Sequence, residues 1–362
     1  MSTIERVQSD LYVIPLDPPL TDAMHGVMRG FEIVTVRVMD ADGAQGVGYT
    51  FTCGRGGSAV LAIARDELPD IVTGEDASRI EWLWHRVWWA LHYGGRGGAQ
   101  TLAQSAFDIA LHDLAAVKAD QPLWRHLGGF EPAVRVYAGG IDLGLSAAAL
   151  VEQTERNLAH GHRAIKMKVG RDRLAEDVEK VAAMRAHLGD GFPLMVDANM
   201  RYTADAAVRA ARAFAPYDLT WFEEPVEPED VAGHARTVRE GGVPVATGEN
   251  LRTLADFRTY IATGAVTYPE PDVTNCGGVT VFMKVARLAE AFGLPVTSHG
   301  AHDITVHLLA ACPNASYLEA HGFGLDAFIE HPMRIEEGIA TAPERSGHGM
   351  VFDWQGLERM RP

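Results

Sequence analysis

The sequence has few cysteines, an excess of acidic over basic residues, and no long hydrophobic run. Its 362 residues include three cysteines, Cys53, Cys276 and Cys312, which lie far apart, so neither a disulfide framework nor a thiolate metal site is expected. The net charge of −16 argues against nucleic acid or an anionic membrane as a partner, because both bind basic surfaces. The amino terminus has no basic segment followed by an apolar one, which favours a cytoplasmic protein.

Two kinds of pattern follow one another along the chain. Residues 32–38 alternate between apolar and polar, and Asp40-Ala41-Asp42-Gly43 is typical of a hairpin turn between two strands. Helical periodicity then appears near residues 57–72, 79–91 and 100–117. Residues 1–128 are therefore predicted to form an α+β domain.

Short apolar strands alternate with helical stretches from about residue 133 onward. This rhythm favours an α/β fold in which parallel strands close into a barrel, over residues 129–324. The tail, residues 325–362, lacks the rhythm and is expected to return to the first domain. The predicted strands are Val134–Ala138, Ala164–Val169, Leu194–Asp197, Thr220–Glu223, Val243–Thr247, Val266–Tyr268, Pro295–Ser298 and Tyr317–Glu319.

Three carboxylates, Asp197, Glu223 and Glu249, stand at or just beyond the ends of consecutive predicted strands. In a barrel of this kind the carboxyl ends of the strands share one face, where active sites lie. Buried like charges repel one another and take up protons unless a cation joins them. Oxygen ligands without His or Cys indicate a hard ion, Mg²⁺ first and Mn²⁺ second. Strand alternation leaves the choice between Glu223 and Glu224 open.

Two lysines precede the carboxylates on the neighbouring strand. Lys166 and Lys168 are two residues apart, so both side chains are expected to point into the barrel. Two ammonium groups on one face should lower each other's pKa, which a lysine needs in order to act as a base near neutral pH. A solvated Lys-x-Lys pair is the alternative, which the adjacent carboxylates make less favourable.

A histidine and two further acids complete the set of polar strand ends. Asp272 and His299 follow consecutive strands, and a carboxylate bonded to one ring nitrogen would raise the basicity of the other. His302 is a second candidate, although the strand end favours His299. Glu319, on the last strand, could donate a hydrogen bond to a substrate carboxylate if it were kept protonated, or it could form a structural salt bridge.

In order and spacing, these residues resemble the mandelate racemase branch of the enolase superfamily. The resemblance covers nearly the whole chain and implies a modified TIM barrel, (β/α)₇β, with an N-terminal capping domain that the C-terminal tail completes. The residues that carry it are Lys166-Met167-Lys168, Asp197-Ala198-Asn199, Glu223-Glu224-Pro225, Gly248-Glu249-Asn250, Asp272, His299 and Glu319.

The resemblance also implies residue roles. Asp197, Glu223 and Glu249 would hold Mg²⁺, which selects Glu223 over Glu224. Lys168 would be one base, and His299 with Asp272 the other, on opposite faces of the substrate. Lys166 and Glu319 would hold the substrate carboxylate, and Asn199 would contact the substrate. The resemblance further implies a homo-oligomer, dimer or octamer.

The implied chemistry is removal of the proton alpha to a carboxylate, through an enediolate. Dehydration of an acid sugar to a 2-keto-3-deoxy acid is the first hypothesis. A racemase or epimerase, or a cycloisomerase that opens a lactone or anhydro ring, is the alternative, and a non-catalytic metal-binding protein is the third. The loops Thr21–Gly30 and Thr52–Gly57 are expected to close over the cavity. His25, Arg29 or Arg55 could contact a distal carboxylate or hydroxyl there.

Overall fold

The computed structural model describes residues 2–362, and their amino-terminal part contains a three-stranded antiparallel sheet. Its strands, in the order β1-β2-β3, are β1 (Ile4–Thr21), β2 (Val27–Asp40) and β3 (Gln45–Thr52). The predicted turn between β2 and β3 is confirmed. Oδ1 of Asp40 accepts hydrogen bonds from the backbone N–H groups of Asp42 and Ala44, each at 3.0 Å. Gly43 supplies the positive φ, 83°, within this turn.

Helices pack against this sheet or against one another. They are α1 (Gly57–Ala62), α2 (Leu68–Val72), α3 (Ile80–Leu91), α4 (Ala99–Lys118) and α5 (Leu123–His126). The predicted helix over residues 57–72 is interrupted by a π-helical turn at Ile63–Glu67. Helix α4 lies so close to β3 that a Cβ atom on Gly48 would be 2.2 Å from the carbonyl oxygen of Ala106. Only glycine permits this approach.

The second part of the chain is the predicted barrel of parallel strands. The strands are β4 (Ala133–Gly139), β5 (Ile165–Lys168), β6 (Leu194–Asp197), β7 (Phe222–Glu223), β8 (Val245–Thr247), β9 (Tyr268–Pro269) and β10 (Tyr317–Ala320). Each of β4 to β8 pairs with the strand that follows it, and β10 pairs with β4. The barrel helices are α6 (Ala147–Ala159), α7 (Leu174–Leu188), α8 (Ala204–Phe214), α9 (Val231–Gly241), α10 (Leu254–Ala262), α11 (Gly278–Ala291) and α12 (His302–Ala310).

The prediction of a regular strand at Pro295–Ser298 was wrong in extent. This segment makes one parallel bridge, between Val296 and Ala315. Three backbone hydrogen bonds nevertheless join it to both neighbours. Thr297 N–H donates to the Pro269 carbonyl at 3.0 Å, Val296 N–H donates to the Asn314 carbonyl at 2.9 Å, and Ser316 N–H donates to the Val296 carbonyl at 2.7 Å. The ring of strands is therefore closed at this position by one hydrogen bond on one side and two on the other.

The tail contacts both parts of the molecule. A hairpin of β11 (Ile335–Glu336) and β12 (Ile339–Thr341) pairs antiparallel with β4, and a short helix α13 (Trp354–Glu358) follows. Near the end of the chain, Val13 N–H on β1 donates to the Met360 carbonyl at 2.7 Å. Every helix within residues 2–362 is too short or too polar to cross a lipid bilayer.

Side chains of the first sheet and of the barrel share one hydrophobic cluster. Tyr49 and Phe51 of β3 belong to the same buried cluster as Phe282 and Val285 of α11. Thr50 Oγ1 also donates to the carbonyl oxygen of Thr274, in the loop after β9, at 2.7 Å. These contacts hold the end of β3 above the carboxyl ends of the barrel strands.

Candidate active site

The structure brings the three predicted metal ligands together. Strand register places Asp197 beside Glu223, and Glu249 follows the next strand, β8. One carboxylate oxygen from each of the three residues lies within 4.8 Å of the other two. Asp197 and Glu223 are fully buried, and burial together with the nearby carboxylates raises the pKa of Glu223 to about 8. Glu224 is not one of the three converging residues, and its carboxylate accepts hydrogen bonds from Asn250 Nδ2.

Both lysines of β5 contact the carboxylates. Lys166 Nζ lies 2.5 Å from Glu223 Oε1 and 3.0 Å from Glu319 Oε1, and Lys168 Nζ donates to Asp197 Oδ2. The prediction of a lowered lysine pKa was wrong. Burial and Lys166 do act to lower the pKa of Lys168, but the Asp197 carboxylate outweighs them and the pKa is raised. The attraction of an opposite charge at contact distance is stronger than the repulsion of a like charge further away.

The predicted histidine and aspartate form a hydrogen-bonded pair. His299 Nδ1 lies 2.8 Å from Asp272 Oδ2, while Nε2 lies 3.3 Å from Glu249 Oε2. Asp272 is itself held by Thr274, whose backbone N–H donates to Oδ1 at 2.7 Å. Burial acts to lower the pKa of His299, but Glu249, Glu319 and Asp272 raise it well above its ordinary value.

Glu319 pairs with Lys166 and lies near His299, which favours the salt-bridge alternative over a protonated donor. Burial acts to raise its pKa, but Lys166 and His299 lower it below the ordinary value. Its Oε2 accepts a hydrogen bond from the Gly300 backbone N–H at 2.9 Å. Glu319 therefore lies between a lysine and the histidine, and it offers acceptors in this state.

A cavity of about 270 Å³ opens above these groups. His25 and Asn199, two of the predicted substrate contacts, line it, whereas Arg29 and Arg55 are exposed and do not. The expectation that Arg55 reaches the cavity is therefore not met. The whole lining is Asp22, His25, Met28, Phe31, Phe51, Thr52, Cys53, Leu102, Ile141, Lys168, Asn199, Glu249, Asn250, Arg252, Asn275, His299, Glu319, His321 and Phe323.

One wall of the cavity is aromatic. The rings of Phe51 and Phe323 stack with their centroids 3.6 Å apart, and Phe31 meets Phe323 edge to face at 5.4 Å. Burial lowers the pKa of the neighbouring His321 to about 4, so its imidazole is neutral near pH 7. The apolar wall suits the carbon skeleton of a ligand better than a second charged group.

Sequence reasoning missed several polar residues of the site. Arg252 and Asn275 line the cavity from the loops after β8 and β9. They lie three residues beyond Glu249 and Asp272 respectively, so a search that continued past the strand ends would have found them. Glu270 is buried beneath the cavity, where Tyr137 Oη donates to its Oε1 at 2.8 Å and burial raises its pKa.

Two family models match the chain, and together they span most of it. The model described as mandelate racemase / muconate lactonizing enzyme, N-terminal domain, matches residues 9–128. The model described as enolase C-terminal domain-like matches residues 149–356.

Curated relatives include enzymes of two reaction types. The chain is 56% identical over 357 residues to a 3,6-anhydro-alpha-L-galactonate cycloisomerase of Streptomyces coelicolor, covering 99% of each chain. It is 32% identical to an L-talarate/galactarate dehydratase of Salmonella typhimurium, covering 97% of this chain and 89% of the relative.

Among solved structures, the fold is similar to a racemase from Streptomyces coelicolor with bound magnesium. The TM-score is 0.97 at 55% identity, and 99% of each chain is covered. An L-talarate dehydratase from Polaromonas, complexed with Mg and L-glucarate, has a TM-score of 0.94 at 35% identity, covering 100% of this chain and 98% of that one.

Proposed function

The chain belongs to the mandelate racemase / muconate lactonizing enzyme family of the enolase superfamily, and on that premise we propose that it is a magnesium-dependent cycloisomerase that opens a 3,6-anhydro sugar acid. Dehydration, the first hypothesis from the sequence, is less well supported. The cycloisomerase relative is 56% identical to this chain, whereas the dehydratase relative from Salmonella typhimurium is 32% identical.

The arrangement at the cavity floor carries the proposal. Three carboxylates converge there, Lys168 contacts one of them, Asp197, and His299 contacts another, Glu249. Two proton-transfer groups thus flank the cluster from different strands. A substrate carboxylate at the cluster would have its alpha carbon within reach of both groups.

The donor set fits Mg²⁺. Asp197, Glu223 and Glu249 offer only oxygen ligands, which hard divalent cations prefer. Mn²⁺ takes similar ligands and is the second choice. A bound Mg²⁺ supplies Lewis-acid stabilisation, worth several kcal/mol, for negative charge that develops on a substrate carboxylate.

The chain's own residues perform the proton transfers. Lys168 first gives up its ammonium proton, which a divalent cation held by Asp197 would favour because it would take the place of the ammonium charge beside that carboxylate. The neutral amine then removes the proton from C2, and Lys166 donates a hydrogen bond to the enediolate oxygens as charge develops. The C3–O bond then breaks, and the ring oxygen takes a proton from His299 to become the hydroxyl group on C6. The enol product tautomerises: C3 gains a proton, the C2 hydroxyl loses one, and a 2-keto-3-deoxy acid with the substrate's formula remains.

Asp272 prepares His299 for this role. Its hydrogen bond to Nδ1 fixes the tautomer and directs Nε2 toward Glu249 and the cavity. A positioned acid or base of this kind contributes about 10²- to 10⁴-fold in rate. Glu319 holds Lys166 Nζ at 3.0 Å and so limits the positions that this ammonium group can take.

Dehydration of an acid sugar is the second candidate function. It shares the loss of the C2 proton and the breaking of the C3–O bond, but the oxygen leaves as water instead of remaining tethered to C6. The dehydratase relatives favour it. Racemisation, which returns the proton to C2 without breaking C3–O, is favoured only by the racemase to which the fold is similar.

Mass spectrometry in deuterated water separates these reactions. The purified protein with Mg²⁺ is incubated with 3,6-anhydro-L-galactonate and, separately, with galactarate and L-talarate. A cycloisomerase yields a keto acid that has the substrate's formula and one deuterium at C3. A keto acid lighter by one water indicates dehydration, and deuterium at C2 without a keto acid indicates racemisation. Either result, without ring opening, would contradict the proposal.

A further inference from the structure

Two asparagines that line the cavity each have a buried amide oxygen without a hydrogen-bond partner. These oxygens are Oδ1 of Asn199 and Oδ1 of Asn275, on side chains of residues that are only 3% and 4% exposed. A buried acceptor without a donor is costly, so such groups in native proteins usually meet a donor from a ligand or water. The family resemblance implies that Asn199 contacts the substrate, whereas it implies no role for Asn275.

The orientation of the Asn275 side chain follows from its amide donor. Nδ2 donates to the carbonyl oxygen of Glu249 at 2.9 Å, which only the nitrogen end of the amide can do. Oδ1 must therefore face the other way, and the backbone N–H of Asn275 donates to the Asp272 carbonyl at 3.1 Å. The acceptor is thus held in place by the loops that carry a metal ligand and the histidine's partner.

Arg252 is held by the same carbonyl group. Its Nη1 donates to the Glu249 carbonyl oxygen at 3.3 Å, and its Nη2 lies 3.5 Å from Asn250 Oδ1. Within residues 2–362 the guanidinium group forms no ion pair. Further N–H donors of Arg252 therefore remain unpaired, on a side chain that lines the same cavity as Asn275.

We infer that Asn275 and Arg252, both held by the carbonyl oxygen of Glu249, form a subsite that binds a hydroxyl group on the ring of the substrate. The hydroxyl donates to Asn275 Oδ1 and accepts from the Arg252 guanidinium. This inference rests on the proposed function, and it names the part of the substrate that the site selects.

A hydroxyl group satisfies this pair better than a carboxylate does. An ionised carboxylate has only acceptors. It would pair with Arg252, but its oxygen would face the amide oxygen Asn275 Oδ1, which is also an acceptor. A 3,6-anhydro galactonate has free hydroxyl groups on C4 and C5 of its ring. The apolar wall of Phe31, Phe51 and Phe323 can then cover the ring's carbon face. The subsite therefore favours a ring monoacid over a diacid such as galactarate.

The test compares parent and deoxy acids. The probes are 3,6-anhydro-L-galactonate, its 4-deoxy and 5-deoxy analogues, and galactarate, each with Mg²⁺. For the unmodified chain, we expect one deoxy analogue to have a kcat/KM about 10- to 100-fold below that of the parent. In Asn275→Ala and in Arg252→Met, the kcat/KM for the parent acid should fall toward the value for that analogue. The double variant should lose little more of this kcat/KM than either single variant does.

Binding provides a readout that does not need turnover. The same four acids are titrated calorimetrically into the His299→Asn protein, with and without Asn275→Ala, to obtain Kd. If the parent binds more tightly than one deoxy analogue and Asn275→Ala removes the difference, the subsite stands even where no ring opening is detected. Such a result would contradict the proposed function and leave the subsite supported.

A matched control is available in Asn314. Its Nδ2 also donates to backbone carbonyl groups, those of Ala286 and Leu294, and its buried Oδ1 also lacks a partner, but it lies outside the cavity. Asn314→Ala should leave the ratio of parent to deoxy kcat/KM unchanged. Equal Kd values for the parent and both analogues, or the absence of measurable binding for all three, would overturn the inference. The inference would also be overturned if galactarate bound more tightly than the parent acid and Arg252→Met abolished that preference.

Discussion

Residues 2–362 contain two groups of three side chains whose ligand atoms lie close enough to hold a metal ion, and the two differ in charge and in access to the cavity. The first is the carboxylate cluster, Asp197, Glu223 and Glu249. The second, here called the histidine cluster, is His302, Asp303 and Asp326. Glu249 lines the cavity above the barrel, whereas none of the three residues of the histidine cluster does.

The histidine cluster contains its own cation. His302 Nε2 lies 3.1 Å from Asp303 Oδ2 and 3.1 Å from Asp326 Oδ1. Burial acts to lower the pKa of His302, but these two carboxylates raise it to about 10. The imidazolium thus balances part of the acidic charge without any added ion.

The carboxylate cluster has no member that can carry positive charge. Lys166 and Lys168 come from the neighbouring strand, and Lys166 also pairs with Glu319, so the acidic groups outnumber these two lysines. A divalent cation offsets this excess, and an opening to the cavity lets ion and substrate enter together. Proximity of ligand-type residues is therefore insufficient evidence for a metal site, since charge balance and access separate these two groups.

Metal content provides the largest test of this difference. Removing the metal with EDTA should reduce turnover by about 10³-fold or more, and Mg²⁺ should restore it, because several kcal/mol of charge stabilisation is lost. Elemental analysis should find one divalent ion per chain. Glu249→Gln should lower this content, while Asp326→Asn should leave it unchanged. Two ions per chain, or loss of the ion in Asp326→Asn, would contradict the comparison.

His299 and His302 are three residues apart in the sequence and provide a matched pair for mutation. His299→Asn should lower kcat by about 10²- to 10⁴-fold, because asparagine cannot transfer a proton. His302→Asn should change kcat by less than about 3-fold, since His302 is outside the cavity and such a step needs a group within hydrogen-bond reach. Turnover and exchange of the alpha proton into deuterated water report both effects, and circular dichroism checks folding. Equal losses in the two variants would contradict the assignment.

Stability against pH gives the smallest expected effect. The pKa of His302 is raised to about 10 in the folded chain, so its contribution is complete below the unfolded value of about 6.5 and is lost as the pH rises through 10. His302→Asn should lower the free energy of unfolding by about 1–3 kcal/mol near pH 6 and by less near pH 10. The half-exposed Asp326 and the unpartnered Nδ1 of His302 reduce the effect.

Urea denaturation at several pH values measures this difference. The unmodified chain and His302→Asn are compared at each pH, with His299→Asn as a second reference. If the difference in unfolding free energy between the unmodified chain and His302→Asn stays constant, or grows toward high pH, His302 is not held as a cation.

Much of the fold was predictable because its pattern is local. The alternation in β2 and the turn at Asp40–Gly43 depend on neighbours in sequence, and the structure confirms both. The strand at Pro295–Ser298 was overestimated because its apolar run is buried by contacts rather than by a ladder of hydrogen bonds. The interruption of the first helix at Ile63–Glu67 likewise has no signal in the helical periodicity.

The candidate site divides in the same way. Strand ends located the carboxylate cluster, both lysines, and the pair of Asp272 and His299. The predicted pKa direction of Lys168 was wrong, and the two alternatives for Glu319 had to stay open, because both depend on which charges come into contact across strands. Arg55 was expected at the cavity, and Arg252 lines it instead.

By itself, the sequence determined the order of strands and helices and the residue type at the end of each strand. Covalent order and side-chain period carry that information, and both are readable without coordinates. Tertiary structure alone decided which loop side chains line the cavity, how the buried charges are shared, and where amide oxygens such as Asn275 Oδ1 are left without a donor. Those properties depend on distances between segments far apart in the chain, and electrostatic and hydrogen-bond energies change steeply with such distances.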